Sequence, residues 1–306
     1  MRRLIPSIAP LLLVLSANAQ QTTPITIPIT EQQAKQLSWL DYTLWATCSI
    51  GTVETDKNTH KKFFFARGTG VLVRITSDRV YLVTAKHVFD EPEKNWHPNE
   101  LRLRFKWQED KSVFDELGIP LTFKDARGNP LWAKPSDGSD IAAVAAPSDI
   151  HDLNRIAIFP EAFAKEEDLY QGGSVVVLGY PGFVGNEYLV RAILRQGIVA
   201  WTSPIDPLKR PFMVDANLYP GNSGGPVMHV PGGIGMGGRL TNGGKPTFLG
   251  IVSQAKSQEF PVILNGRPLT VQQQGGILTV PVIGGIGMIE PAGKILDFLQ
   301  SIEPKK

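Results

Sequence analysis

The chain has 306 residues, 42% hydrophobic and 20% charged, a composition that describes a globular protein long enough for two sub-cores or one large one. Its 31 basic and 29 acidic residues leave a formal charge of +2, a balance that marks no basic face and gives nucleic-acid binding no support. Cys48 is the only cysteine, so no internal disulfide is available. With no cysteine cluster and no H-x-x-x-H spacing among the five histidines, no metal or other cofactor is expected.

From the N-terminus, MRRLIPSIAPLLLVLSANAQ joins Arg2 and Arg3 to the apolar run LLLVL and closes on Ala17-Asn18-Ala19. These are the parts of a Sec signal peptide over residues 1–19, cut before Gln20, and the apolar run is too short to span a membrane comfortably. The expected destination is the periplasm or the medium, with no stable membrane insertion afterwards. Without Arg2 and Arg3 the chain carries 29 basic and 29 acidic residues and is near neutral. Residues 20–38 read as a leader or extended arm, with a short amphipathic helix over 31–40 capped by Thr30.

From Asp41 the signals are those of strands: TLWATCSIGTV, KKFFFARGTGVLVRI, RVYLVTAKHVF and LRLRFKW. A polar, turn-rich stretch over 107–139 precedes one more short strand, DIAAVAA. Residues 39–147 thus form a first β-barrel, and 148–168 a charged linker with a helical turn around EAFAKEED. Strands resume in SVVVLGYPG, YLVRAILRQGIVAWTS, PFMVDANLY, PTFLGIVSQ and GGILTVPVIGG, a second barrel within 169–302. The tail EPAGKILDFLQSI has Ile295, Leu296, Phe298 and Leu299 at helical spacing and Pro291 in its first turn. Helices between strands, which a parallel α/β sheet needs, are missing, so the fold class is all-β: two antiparallel β-barrels and a C-terminal helix.

Chemistry concentrates around YPGNSGGPV, residues 219–227. The composition suits a turn, but it also suits a nucleophile among bare backbone N–H groups. A serine hydroxyl attacks only when a base takes its proton and a third group orients the base. His87 stands where VYLVTAKHVF ends a strand in a turn, and Asp140 opens the apolar strand of DGSDIAAVAA. The order is His, Asp, Ser. The G-x-S-x-G elbow of α/β-hydrolases needs Ser, acid, His, and after Ser223 the only histidine, His229, precedes every later acid: Glu259, Glu290, Asp297 and Glu303. Gly233, Gly235 and Gly238 match G-x-G-x-x-G without the strand and helix a dinucleotide site requires, and read as a hairpin insertion. Cys48 reads as a buried small hydrophobe rather than a nucleophile.

These motifs resemble the chymotrypsin-fold (trypsin-like) serine peptidases of the bacterial HtrA-like type. The resemblance runs from about residue 40 to 300, through GTGVLV, TAKHV, SDIAAV, VVVLGYPG, GIVAWTS, VDANLYPGNSGGPV, LGIVSQ and GIGMIEPAGKILDFL. It implies two six-stranded barrels with the cleft between them. Ser223 would be the nucleophile, His87 the base, Asp140 its orienting acid, and Gly221-Asn222-Ser223 the oxyanion segment with N–H donors at Gly221 and Ser223. A substrate strand would pair along Ile251 to Ala255, including Val252 and Ser253. Asn217 would lie at the base of the S1 pocket and Tyr219, where the family usually has Asn, on its wall or at a loop contact. With no acid at 217, small or aliphatic P1 residues are expected. Asn222 replaces the aspartate that pairs with a freed N-terminus in trypsin-type zymogens. The chain ends at Lys306, so a type without a PDZ module is expected. The reading is an exported, cofactor-free serine endopeptidase acting on peptides or proteins, one of them exclusively if loops 107–139 and 229–246 restrict the cleft. The alternative is a catalytically silent binding or chaperone-like protein on the same fold.

Overall fold

The structure, a computed structural model, describes residues 25–26, 30–76, 79–105, 117–147, 150–151, 153–182, 184, 191–234, 240–241, 243–264, 267–268, 270–271, 276–277 and 279–303. The expected signal peptide lies outside these. Two six-stranded antiparallel sheets carry the fold. The first contains β1 (Thr47–Thr55), β2 (Lys62–Thr76), β3 (Arg79–Thr84), β4 (Leu101–Phe105), β5 (Ile119–Leu121) and β6 (Ala142–Ala145), in the order β5-β4-β1-β2-β3-β6. Its two end strands are not bonded to each other, so it is a half-barrel where a closed one was expected.

The second sheet closes fully. It contains β7 (Ser174–Gly179), β8 (Ile193–Trp201), β9 (Phe212–Asp215), β10 (Pro226–His229), β11 (Thr247–Pro261) and β12 (Thr279–Pro291), in the cyclic order β8-β9-β12-β11-β10-β7. Every one of these strands is bonded to two neighbours, and β11 runs on past Ile251, where its pairing with β10 ends. Gly233–Ile234 pairs antiparallel with Leu240–Thr241, so the flanks of the glycine-rich stretch form the hairpin expected, while Gly235 and Gly238 lie outside the described residues.

The chain enters through α1 (Glu31–Gln36) and α2 (Trp39–Ala46), and here the sequence reading is corrected. The segment TLWA is helical, and the strand begins only at Thr47. Ser38 explains the switch: its Oγ accepts the Asp41 N–H at 3.1 Å and donates to the Asp41 carboxylate at 2.9 Å, which starts a new helix. The linker forms single 3-10 turns at Leu153–Arg155, Pro160–Ala162 and Glu166–Asp168.

Each sheet has its own buried cluster, and a third cluster joins them. In the joining cluster Val71, Val83 and Ile141 of the first half meet Leu178, Tyr180, Phe248 and Ile251 of the second. The final helix α4 (Ala292–Ile302) covers this seam with Ile295, Phe298 and Leu299, and Pro291 is its N-cap rather than a first-turn residue. Burying three such side chains is worth roughly 5–8 kcal/mol before entropy is counted, so α4 is a clamp across the two sheets. The catalytic candidates lie where the sheets meet.

Candidate active site

His87 lies in α3 (Lys86–Phe89), a single helical turn at the end of β3. The turn is fixed from below. Trp96 Nε1 donates to the Val88 carbonyl at 2.9 Å, and Arg67 stacks on the Trp96 ring at 4.6 Å while pairing with Glu91 at 2.6 Å. Asp140 precedes β6, which pairs with β3, so the strand register brings the two residues together across 53 positions of sequence. His87 Nδ1 and Asp140 Oδ2 are 2.8 Å apart, and the His87 backbone N–H donates to Asp140 Oδ1 at 3.1 Å. Ser253 Oγ donates to Asp140 Oδ2 at 3.1 Å.

Burial opposes ionisation of Asp140, but the bonds from the His87 ring and backbone and from Ser253 outweigh it. The carboxyl is held below the ordinary carboxylate range. It therefore stays charged beside the imidazole, and its bond to Nδ1 leaves Nε2 as the nitrogen able to take a proton. Among the described residues, Ser223 Oγ makes one hydrogen bond, donated to the Ser253 carbonyl at 3.5 Å. Ser253 thus links Ser223 to Asp140, a role that the sequence reading, which had it lining the substrate strand, did not include.

The loop before β10 is held by backbone bonds that decide where its N–H groups point. Gly182 N–H donates to the Pro220 carbonyl at 3.2 Å, and Gly225 N–H to the Asn222 carbonyl at 2.8 Å. In a planar trans peptide the N–H points opposite to its carbonyl. The Gly221 and Ser223 N–H groups therefore face away from these anchors, and neither has a hydrogen-bond acceptor among the described residues. The Asn222 N–H instead donates to the Tyr219 carbonyl at 3.0 Å, so Asn222 is not a third donor. Its side chain is wholly buried against Gly179, and neither Nδ2 nor Oδ1 has a protein partner among the described residues.

Thr69 of β2 secures this loop from the other sheet. Its Oγ donates to the Gly221 carbonyl at 2.7 Å and accepts the Tyr180 N–H at 3.0 Å, while its own N–H donates to the Ser223 carbonyl at 2.8 Å. Gly224 has φ +84°, and a Cβ there would stand 2.0 Å from the Thr69 carbonyl oxygen and 2.2 Å from Thr84 Oγ1. Only glycine fits.

The remaining substrate-binding candidates separate. Ile251 and Val252 are buried in the core, and the Val252 N–H and carbonyl are bonded to Gly225 and Gly224. The open backbone for an added strand is thus narrowed to Ser253–Ala255. Asn217 is exposed with φ +46°. Tyr219 lies beneath the Arg195 guanidinium, 4.7 Å from ring centroid to Cζ. Leu218 is wholly buried against Gly287. A Cβ built at Gly285 would lie 3.3 Å from Asn217 Oδ1 and 3.2 Å from Asp215 Oδ1, so a carboxylate borders the position that the sequence reading treated as free of acid. His229 lies apart from this network, buried and edge-on to Tyr170.

The profile of the trypsin-like peptidase domain matches residues 68–233, a stretch holding Thr69, His87, Asp140 and Ser223. The chain belongs to this family. As a trypsin-like peptidase domain it is similar to the protein "Serine protease HtrA-like" of Staphylococcus aureus (strain bovine RF122 / ET3-1), with 27% identity over 172 residues, covering 54% of this chain and 19% of that protein. The protein of the same name from strain USA300 is 27% identical over 176 residues, with the same shares. The chain therefore spans about a fifth of the length of these relatives. A solved structure of an HtrA-type protease with decapeptide aligns over 90% of this chain and 67% of its own, at 16% identity and a TM-score of 0.44.

Proposed function

We propose that this trypsin-like peptidase domain is an exported serine endopeptidase, with Ser223, His87 and Asp140 as its triad. The observation that carries the reading is the pair of N–H groups at Gly221 and Ser223, locked from behind and aimed away from their anchors beside an intact His87–Asp140 pair. Ser223 Oγ attacks the scissile carbonyl and passes its proton to His87 Nε2. The carbonyl oxygen becomes an oxyanion held by the two N–H groups. His87 returns the proton to the leaving amine, and water then hydrolyses the acyl-enzyme along the same path. Asp140 orients the imidazole and stabilises its charged form. The Ser223 hydroxyl turns from Ser253 to His87 when substrate fills the cleft, in keeping with the tightening of catalytic hydrogen bonds on binding.

The substrate is a peptide or protein whose backbone pairs with Ser253–Ala255. Small or aliphatic P1 residues fit a site with a neutral Asn217 at its base; a cleavage profile dominated by Lys or Arg would instead assign that base to Asp215. Export rests on the signal-like N-terminus. The competing reading, a silent binding protein, draws on the Ser223–Ser253 bond, which leaves the nucleophile turned from its base.

Labelling of purified residues 20–306 with a fluorophosphonate probe separates the two, with Ser223→Ala as control and casein digestion in parallel. Labelling lost in the variant, with casein cut, is the expected result. Binding of peptides by a folded protein that never labels would favour the silent form.

A further inference from the structure

A carboxylate outside the triad is built into its back wall. Glu290, the penultimate residue of β12, sends Oε1 across the seam to accept the backbone N–H of Asp140 at 3.0 Å. It is 5% exposed, and its other oxygen is buried without a hydrogen bond. Among the described residues the cation paired with that oxygen is Lys294 of α4, at 3.9 Å, and Lys294 Nζ lies closer to Asp137, at 2.9 Å. The charged groups facing Glu290 are therefore Asp137 and Asp140 from the loop before β6 and Lys294 from α4, with His87 beyond Asp140. Opposite it on β11 stands Ile251, which brings no charge.

A buried carboxylate with one strong partner is a costly way to satisfy one backbone N–H, since a neutral amide or hydroxyl would serve. We infer that Glu290 is a positioning residue for the triad, fixing the Asp140 backbone from the second barrel and setting a second negative charge behind the Asp140–His87 pair. The inference rests on the peptidase reading above. The imidazolium formed as Ser223 attacks then sees two negative charges, the half-buried Asp140 and the buried Glu290, and at the effective dielectric of protein interiors a charge several ångströms away still counts. Burial raises the Glu290 carboxyl above the ordinary glutamate range, against the Asp140 N–H and Lys294, which lower it. The charge is thus held at a cost to the fold.

The test is the pH dependence of the rate at which a fluorophosphonate labels Ser223 in the parent, Glu290→Gln and Glu290→Ala, with thermal melts to establish that each is folded. The amide of Glu290→Gln still accepts the Asp140 N–H but carries no charge. Its labelling is expected to fall about three- to tenfold at the alkaline plateau. Its acid limb should move to lower pH by about half to one pH unit, because a less stabilised imidazolium loses its proton sooner. Glu290→Ala, which loses the acceptor as well, should label still more slowly. A Glu290→Gln protein whose acid limb does not move, whatever its plateau, would overturn the positioning role and leave the peptidase intact. A folded parent that does not label at all overturns the peptidase reading and this inference with it.

Discussion

One hydroxyl at Thr69 serves both sheets, giving a hydrogen bond to the Gly221 carbonyl and taking one from the Tyr180 N–H. Thr69→Val keeps the shape and removes both. Two buried backbone groups are then left unpaired, at about 1–3 kcal/mol each. The expected outcome is a folded protein whose fluorophosphonate labelling falls at least tenfold, with Thr69→Ser restoring most of it. Glu290 gives a prediction of the opposite sign for stability. Its folded-state pKa lies above its unfolded value, so the native state favours the neutral acid. That stabilising contribution is present below about pH 4, the ordinary glutamate range, and is lost as pH rises through the raised value. Glu290→Gln should therefore melt higher than the parent at pH 8 and alike at pH 4. Asp140 runs the other way: its lowered value adds stability above the ordinary aspartate range, lost as pH falls through the folded-state value.

At the scale of elements, the loop from Tyr219 to Gly225 is rigid because its carbonyls are tied and its glycines have no room for a side chain. Gly224 and Gly128 share a φ of +84°, yet a Cβ at Gly128 would meet nothing within 4 Å. The pair separates backbone strain from collision. Gly128→Ala should cost about 1 kcal/mol in denaturant unfolding, and Gly224→Ala several-fold more, because the atoms in the way are backbone and a bonded threonine oxygen. The elements were legible in sequence to different depths. His87, Asp140 and Ser223 stood out because each ends or opens an apolar strand in a fixed order. The strand start at Thr47 was not, because TLWA suits either structure and the Ser38–Asp41 cap that decides it is only a four-residue signal. Thr69 was visible in GTGVLV, but its bonds reach 111 and 152 residues along the chain. Glu290 entered the sequence reading only as an acid in the wrong order for an elbow, since its meeting with Asp140 depends on how two sheets dock.

Over the whole molecule, Cys48 offers a built-in reporter. It is fully buried in the first sheet's cluster, and burial raises its thiol pKa far above the ordinary cysteine range. A thiol reagent should leave the native protein unmodified and react fully once it unfolds. The denaturant midpoint for thiol exposure should match that for loss of fluorophosphonate labelling; labelling lost well before the thiol opens would mean that the seam parts first. The seam is where the active-site bonds converge: Thr69 to Gly221, Ser223 and Tyr180, Ser253 to Asp140, and Asp140 to Glu290 all run between the two halves. With a single cysteine, no disulfide assists them. On the proposed triad, a chain that has folded only one half owns either a base without a nucleophile or a nucleophile without a base. If the proposed function holds, such a chain cuts nothing, its own unfinished copies included, and the docking of two inert halves is the step that turns activity on.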